Sequence, residues 1–157
     1  MTSRALLTIV ACAAVSAASC GSNEALPHVA KRQAEEVTLA QLLSSPEKFN
    51  ESVVRVIAPC TIAVERNALH LSEDDLKPLA PNQNGDAGHA IWLDLGWPIS
   101  PEVRALHNKY ALVEGQFDSG NRGHMGQYAG AIKNITRIEG SSAEAELKVR
   151  RRVAGSR

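Results

Sequence analysis

The stretch SVVRVIAPCTIAVE, residues 52–65, decides the fold, because apolar side chains recur along it at every second position. Its apolar face consists of Val54, Val56, Ala58, Cys60, Ile62 and Val64. Successive side chains of a strand point to opposite sides of a sheet, so this period predicts a long strand with one buried face. Pro59 has no backbone N–H to donate, and we expect an edge stretch or a bulge there. Cys60 is expected to be a buried, inert thiol.

Four further stretches alternate in a similar way and are predicted as the second to fifth strands. They are residues 68–72, 89–95, 110–117 and 131–138. A turn at residues 65–67 joins the first two strands into a hairpin. In the last stretch Ile132, Ile135 and Ile138 are spaced by three, which indicates a bulge, although a helical turn fits the same spacing.

Two short helices are predicted around these strands. The first follows a cap at Thr38, has leucines at helical spacing and ends near Pro46. The second begins at Ser100, which is followed by a proline at the first helical position. One helix therefore precedes all five strands, and the other lies between the third and the fourth.

This order predicts a mainly β domain: a five-stranded OB-like Greek-key barrel with a short helix between strands three and four and an N-terminal helix. A twisted open sheet packed on two helices fits the same order. An immunoglobulin-like sandwich would need about seven strands.

The segment GQFDSGNRGHMGQYAGAIKNITRI, residues 115–138, resembles the end of small uncharacterised bacterial envelope lipoproteins with an OB-like domain. The sequence VRV at residues 54–56 and AIWL at residues 90–93 are similar to those proteins too. The resemblance implies a fold and a compartment, and it implies no reaction.

The first residues have the layout of a lipoprotein signal peptide. One positive charge, Arg4, precedes an uncharged run that ends in small residues before Cys20. Residues 1–19 are therefore predicted to be removed, and Cys20 is predicted to carry lipid, such as palmitate, that holds the protein to a membrane. Cleavage at Cys12 would leave a very short apolar region, whereas ordinary cleavage after residue 17 or 19 would leave Cys20 as an unpaired thiol.

The residue after Cys20 is Gly21, whereas lipoproteins kept in the inner membrane commonly have aspartate there. We therefore expect an outer-membrane protein facing the periplasm. No intramolecular disulfide is predicted, because Cys60 is the only other cysteine of the mature chain.

The mature chain is divided into three parts by its composition. Residues 20–37 are predicted as a tether, residues 38–140 as the OB-like domain, and residues 141–157 as a basic disordered tail. The tail has five bases against two acids, so an arm that contacts anionic lipid is the alternative interpretation. Residues 20–140 have 11 bases against 15 acids, which makes nucleic acid an unlikely partner.

Two groups of residues are candidates for ligand binding. The predicted register gives the second and third strands an outward face with His70, Trp92 and Asp94. OB-folds bind ligands on this face, and tryptophan beside histidine offers a stacking surface for a sugar, a base or a peptide. The alternative is that the N-terminal helix covers Trp92.

The second group lies in the loop of residues 118–130, where glycine is concentrated. Arg122, His124 and Tyr128 lie among these glycines, a combination that lets backbone amides and a cation approach an anion. The alternative is a mobile loop that needs glycine for tight turns.

Motifs for catalysis and for metal binding are absent from the sequence. The five histidines are isolated from one another, and no nucleophile elbow or His-Glu-x-x-His pair is present. We expect no cofactor and no enzyme activity. The predicted function is a lipid-anchored, non-catalytic envelope module that binds a periplasmic protein or glycan. The alternatives are a metal-binding protein or metal-dependent hydrolase that uses the histidines, and a purely structural envelope protein.

Overall fold

The computed structural model describes residues 33–76 and 87–156, and this part of the chain is mainly β. Its strands are β1 (Glu35–Glu36), β2 (Val53–Ala63), β3 (Arg66–His70), β4 (Ala90–Leu93), β5 (Lys109–Asp118) and β6 (Ala131–Gly140). Its helices are α1 (Leu39–Ser44), α2 (Pro101–Arg104) and α3 (Ala143–Gly155). The predicted signal peptide, Cys20 and most of the predicted tether lie outside the described residues.

The six strands form one mixed sheet in the order β1-β2-β3-β4-β6-β5, and β2 also pairs with β5. Two pairings are parallel, β1 with β2 and β4 with β6, and the others are antiparallel. The five predicted strands correspond to β2–β6. The predicted number of strands was wrong, because β1 adds a sixth.

β1 lies inside the stretch that was predicted to be part of the tether. It pairs with β2 through Glu35 and Glu36, and the next residue, Val37, is buried and donates its backbone N–H to Arg55 O at 3.0 Å. A strand of two residues is too short to show a period in sequence. The domain therefore begins before Thr38.

The predicted apolar face of β2 supplies much of the core. Val54, Val56, Ala58, Cys60 and Ile62 are buried, and they pack against residues of β3–β6 and α1. Val64 differs from the prediction, because it lies in the β2–β3 turn and is 86% exposed. The register Ile62↔Asn67 and Ala63↔Arg66 leaves only two residues for that turn.

A predicted irregularity in the last strand is confirmed as a register shift between β5 and β6. Glu114 pairs with Arg137 and Gln116 pairs with Lys133, so β6 has extra residues opposite Gly115. A Cβ atom on Gly115 would lie 2.7 Å from Ile132 Cγ2, which explains why glycine occupies the bulge.

Both predicted helices are present. Thr38 caps α1 in a capping box with Gln41, and Leu39 and Leu42 are buried beneath it. Ser100 caps α2, which has only four residues. No helix in the described part of the chain is long and apolar enough to cross a membrane.

The prediction of a disordered tail was wrong, because residues 143–155 form α3. Ser142 accepts a hydrogen bond from the backbone N–H of Ala145 and so caps the helix, and Val149 is buried. Arg152 forms an ion pair with Glu36 of β1, with Nη2 and Oε1 2.9 Å apart. The tail has few apolar residues, but one valine and an ion pair to β1 are enough to hold it against the sheet.

Candidate binding groove

The pairings Ala68↔Trp92 and His70↔Ala90 place His70 and Trp92 on one face of the sheet, but the three predicted residues differ in their exposure. His70 is buried, and its Nε2 lies 2.9 Å from the hydroxyl of Thr61. Burial, followed by the charge of Arg66, lowers the pKa of His70 and favours a neutral ring. Asp94 is exposed but does not line the groove described below. Of the three, only Trp92 lines this groove.

Trp92 is partly buried by the loop of residues 118–130 rather than by the N-terminal helix. The ring centroid of Tyr128 lies 5.2 Å from that of Trp92, and the ring of His124 stacks on it at 6.5 Å. Tyr128 is buried, which raises the pKa of its phenol. The loop therefore holds Trp92 in place from one side.

At position 123 of this loop, packing requires glycine. Gly123 has a φ of +60°, and a Cβ there would lie 2.6 Å from Trp92 Cγ. The backbone N–H groups of Gly120 and Asn121 already donate to Asp118 Oδ1, each at 3.0 Å. Amides that bind a carboxylate of their own chain cannot also cradle an external anion. Arg122 is exposed beside this loop and lies outside the groove.

A groove of about 560 Å³ opens beside Trp92, at one end of the sheet. Its walls are the β2–β3 hairpin, the segment after β4, α2 and the loop before β6. The lining residues are Ile62, Ala63, Val64, Glu65, Asn67, Trp92, Leu95, Trp97, Ile99, Arg104 and His124. The volume is within the range of small-molecule and peptide side-chain sites.

The rim of the groove exposes large apolar side chains to water. Trp97 is 81% exposed and Val64 86% exposed. The guanidinium of Arg104 lies 5.8 Å from the centroid of the Trp97 ring. Both tryptophans of the chain therefore line this groove. Exposed tryptophan next to arginine is typical of an interaction surface.

Two polar features accompany these apolar walls. Asn67 Oδ1 is the only buried side-chain polar atom without a hydrogen-bond partner in the described part of the chain, and Asn67 lines the groove. At the mouth, His124 Nε2 lies 3.7 Å from Glu65 Oε2. The groove thus combines an apolar body with a few polar groups, as binding sites generally do.

Sequence analysis identified only part of this site. Trp92 and His124 were predicted, but Trp97, Asn67 and Arg104 were missed. Trp97 lies in Gly96-Trp97-Pro98, directly after the predicted third strand. A tryptophan between two turn residues is expected to be exposed, and this expectation could have identified Trp97 as a site residue. Asn67 has no such signal, because its position depends on long-range packing.

Within the described residues, the other reactive side chains do not converge on a second site. Cys60 is buried and its Sγ donates to Leu106 O at 3.1 Å, and burial raises its pKa to about 11, so the thiol is inert as predicted. His107 Nδ1 accepts the backbone N–H of Ile62 at 3.2 Å. Among residues 33–76 and 87–156, no group of three or more His, Cys, Asp or Glu side chains is arranged to hold a metal ion.

No protein-family model matches this chain, and no curated protein matches its sequence.

Proposed function

We propose that this protein is a lipid-anchored, non-catalytic binding module of the bacterial cell envelope, which contacts a periplasmic protein or glycan through the groove beside Trp92. The groove carries the proposal. It is the place where the described chain exposes large apolar side chains next to an unpartnered buried oxygen, Asn67 Oδ1.

The arrangement of the strands supports an OB-like barrel as the scaffold. β2, β3, β4, β6 and β5 each pair with two others of this set, since β5 returns to pair with β2. OB-folds use the face of their second and third strands together with the loops between strands one and two and between strands four and five. In this chain those elements are β3, β4, the hairpin at Glu65 and the loop at His124, which form part of the walls of the groove, and the segment after β4 and α2 form the rest.

The first residues of the sequence support the lipid anchor. A positive charge, an apolar run and small residues precede Cys20, and Gly21 follows it. We propose that lipid on Cys20 holds the protein at the outer membrane, facing the periplasm. Several acyl chains on one cysteine give stable anchoring, because each buried methylene contributes about 0.8 kcal/mol.

The anchor is tested by growing the host with radiolabelled palmitate and comparing Cys20→Ser with Cys12→Ser. We expect label on the wild type and on Cys12→Ser, both recovered with membranes. We expect no label on Cys20→Ser. Label that persists in Cys20→Ser, or disappears in Cys12→Ser, would move the modification to the other cysteine.

Binding is tested in the host with the full chain carrying a photo-reactive phenylalanine analogue at Val64, on the rim of the groove. The matched control carries the analogue at Leu147, which is exposed on α3. We expect an adduct from position 64 only, and we expect Trp97→Ala to remove it. Equal adducts from both positions, or none from position 64, would favour a purely structural envelope protein.

A further inference from the structure

We propose that the groove binds a peptide segment of a partner protein, and that this segment combines an apolar side chain with an acidic residue. This inference rests on the proposed binding function and names the chemistry of the ligand. Three features of the groove support it: the composition of its walls, the unpartnered oxygen of Asn67 and the charge of Arg104.

The walls of the groove fit an apolar side chain better than a sugar. Ile62, Leu95 and Ile99 lie among the lining residues and offer no hydrogen bond to a ligand. A sugar ring that entered here would lose water from several hydroxyls, and each unsatisfied hydroxyl costs about 1–3 kcal/mol. An aliphatic or aromatic side chain loses nothing of this kind and gains about 25 cal/mol for each Å² removed from water.

The rim has the composition of a protein-binding hot spot. The guanidinium of Arg104 lies 5.8 Å from the centroid of the Trp97 ring, and Val64 on the hairpin is nearly fully exposed. Tryptophan and arginine are the residues that most often carry the free energy of protein–protein binding. A partner that covers this rim would bury apolar surface that the described chain leaves in water.

Asn67 supplies an acceptor for the main chain of a peptide. The residue is only 9% exposed, and its Oδ1 has no partner in the described part of the chain. A buried acceptor without a partner destabilises the folded protein by about 1–3 kcal/mol. Every peptide carries N–H donors next to its side chains, but this oxygen is shielded from solvent, so a peptide N–H reaches it only when the Asn67 side chain turns towards the groove.

The charge of the rim favours an acidic residue in the ligand. Arg104 forms no ion pair with a carboxylate in residues 33–76 and 87–156, whereas Glu65 already has His124 at 3.7 Å. The positive charge of Arg104 is therefore available to a carboxylate of the ligand. A carboxylate pairs with a guanidinium through two parallel hydrogen bonds, which adds orientation as well as affinity.

The test selects peptides from a phage-displayed library of random dodecapeptides on the full chain purified from its host. We expect enrichment of sequences with aspartate or glutamate beside leucine, phenylalanine or tryptophan. Binding of each selected peptide is then measured by the emission of Trp92 and Trp97, which reports on the groove alone because the chain has no other tryptophan. Chitotetraose is titrated in the same way as the glycan probe.

Two pairs of variants assign the binding to the groove. Trp97→Ala should weaken a selected peptide at least about tenfold, whereas Leu147→Ala on α3 should leave its affinity unchanged. Arg104→Glu should turn the selection towards lysine-containing peptides, and Arg151→Glu on α3 should not. Each substituted side chain is exposed, so folding is preserved in all four variants.

The outcomes separate this inference from the proposed function. If the selected peptides are not enriched in aspartate or glutamate, or if Arg104→Glu selects the same peptides as the wild type, Arg104 does not recognise an acidic residue of the ligand. Failure to select any peptide above the Trp97→Ala background, together with a response to chitotetraose, would overturn the peptide class and leave a binding module for glycans. No response to either probe would remove both proposals.

Discussion

At the scale of single residues, the unpartnered oxygen of Asn67 marks a conflict between stability and binding. Asn67 lies opposite Ile62 in the β2–β3 pairing, in surroundings where an aliphatic side chain would fit. Its amide oxygen has lost water on folding and has gained no partner in the described residues. A ligand with a hydrogen-bond donor offsets that loss only when the Asn67 side chain turns to meet it.

Replacement of this residue should therefore change stability and binding in opposite directions. We expect Asn67→Leu to raise the free energy of unfolding by about 1 kcal/mol and the melting temperature by about 4 °C, while it weakens ligand binding. Asn121→Leu is the matched control, because Asn121 Oδ1 accepts the N–H of Gly123 at 3.0 Å and its loss should destabilise the protein. Thermal unfolding followed by circular dichroism measures the melting temperatures of both variants. A lower melting temperature for Asn67→Leu would show that the side chain is structural.

His70 predicts a dependence of stability on pH. Burial, with a contribution from Arg66, holds the pKa of the folded ring below its ordinary value of 6.5. The unfolded chain therefore binds a proton that the folded chain does not. Stability begins to fall as the pH drops below about 6.5, and the fall ends at the lower pH where the folded ring is itself protonated. Urea unfolding from pH about 7.5 downward measures this fall. His70→Gln should be less sensitive to pH than the wild type over that window, and identical slopes for the two proteins would contradict the assignment.

At the scale of elements, the loop between β5 and β6 and the helix α3 each have a position that depends on a few contacts. The loop approaches Trp92 so closely that Gly123 has no room for a side chain. α3 is held against β2 and β1 by Val149 and Arg152. Both elements can therefore be tested by small substitutions with controls in the same element.

In the loop, Gly123→Ala and Gly126→Ala form a matched pair. Both glycines have positive φ, at 60° and 69°, but Gly123 also has a ψ of −157°, in a region that only glycine adopts readily, and its Cβ would meet Trp92, whereas nothing lies within 4 Å of residue 126. We expect Gly126→Ala to cost about 1 kcal/mol from backbone strain alone, and Gly123→Ala to cost about 3 kcal/mol. Gly123→Ala should also shift the emission of Trp92. Equal losses in urea unfolding would mean that the loop does not pack on Trp92.

In α3, Val149→Ala should destabilise the protein and Leu147→Ala should not. Val149 is 2% exposed and Leu147 is 49% exposed, on different faces of the same helix. We expect losses of about 1–2 kcal/mol for Val149→Ala and less than about 0.5 kcal/mol for Leu147→Ala. Urea unfolding of both variants checks this. A disordered tail would leave the two variants equal to the wild type.

At the scale of the whole molecule, prediction from the sequence was limited by distance along the chain. β2–β6 were predicted because the alternation of apolar and polar side chains is visible within each strand. The two helices were predicted from their N-terminal caps, Thr38 and Ser100. β1 was missed because its two residues, Glu35 and Glu36, are too few to show a strand period. α3 was missed because Val149 is its one buried valine. Both elements gain their positions from contacts with β2. Trp92 was found as a residue of a strand, whereas the groove joins residues 62–67, 92–104 and 124, which only the paired sheet brings together.

That same long-range pairing predicts that the groove and the sheet unfold together. The described residues belong to one compact unit, from Arg32 to Arg157, and β5 pairs with both β2 and β6. Opening the groove would require the β2–β3 hairpin or the loop at His124 to leave the sheet. We therefore expect one transition, with coincident midpoints for tryptophan emission, which reports on the groove, and for far-ultraviolet circular dichroism, which reports on the strands. Val149→Ala should lower both midpoints equally, because α3 packs on β2 and stabilises the unit as a whole. A change of tryptophan emission at a lower denaturant concentration than the change of circular dichroism would mean that the groove unfolds separately from the sheet. The rigid walls that a peptide site needs would then form only on binding.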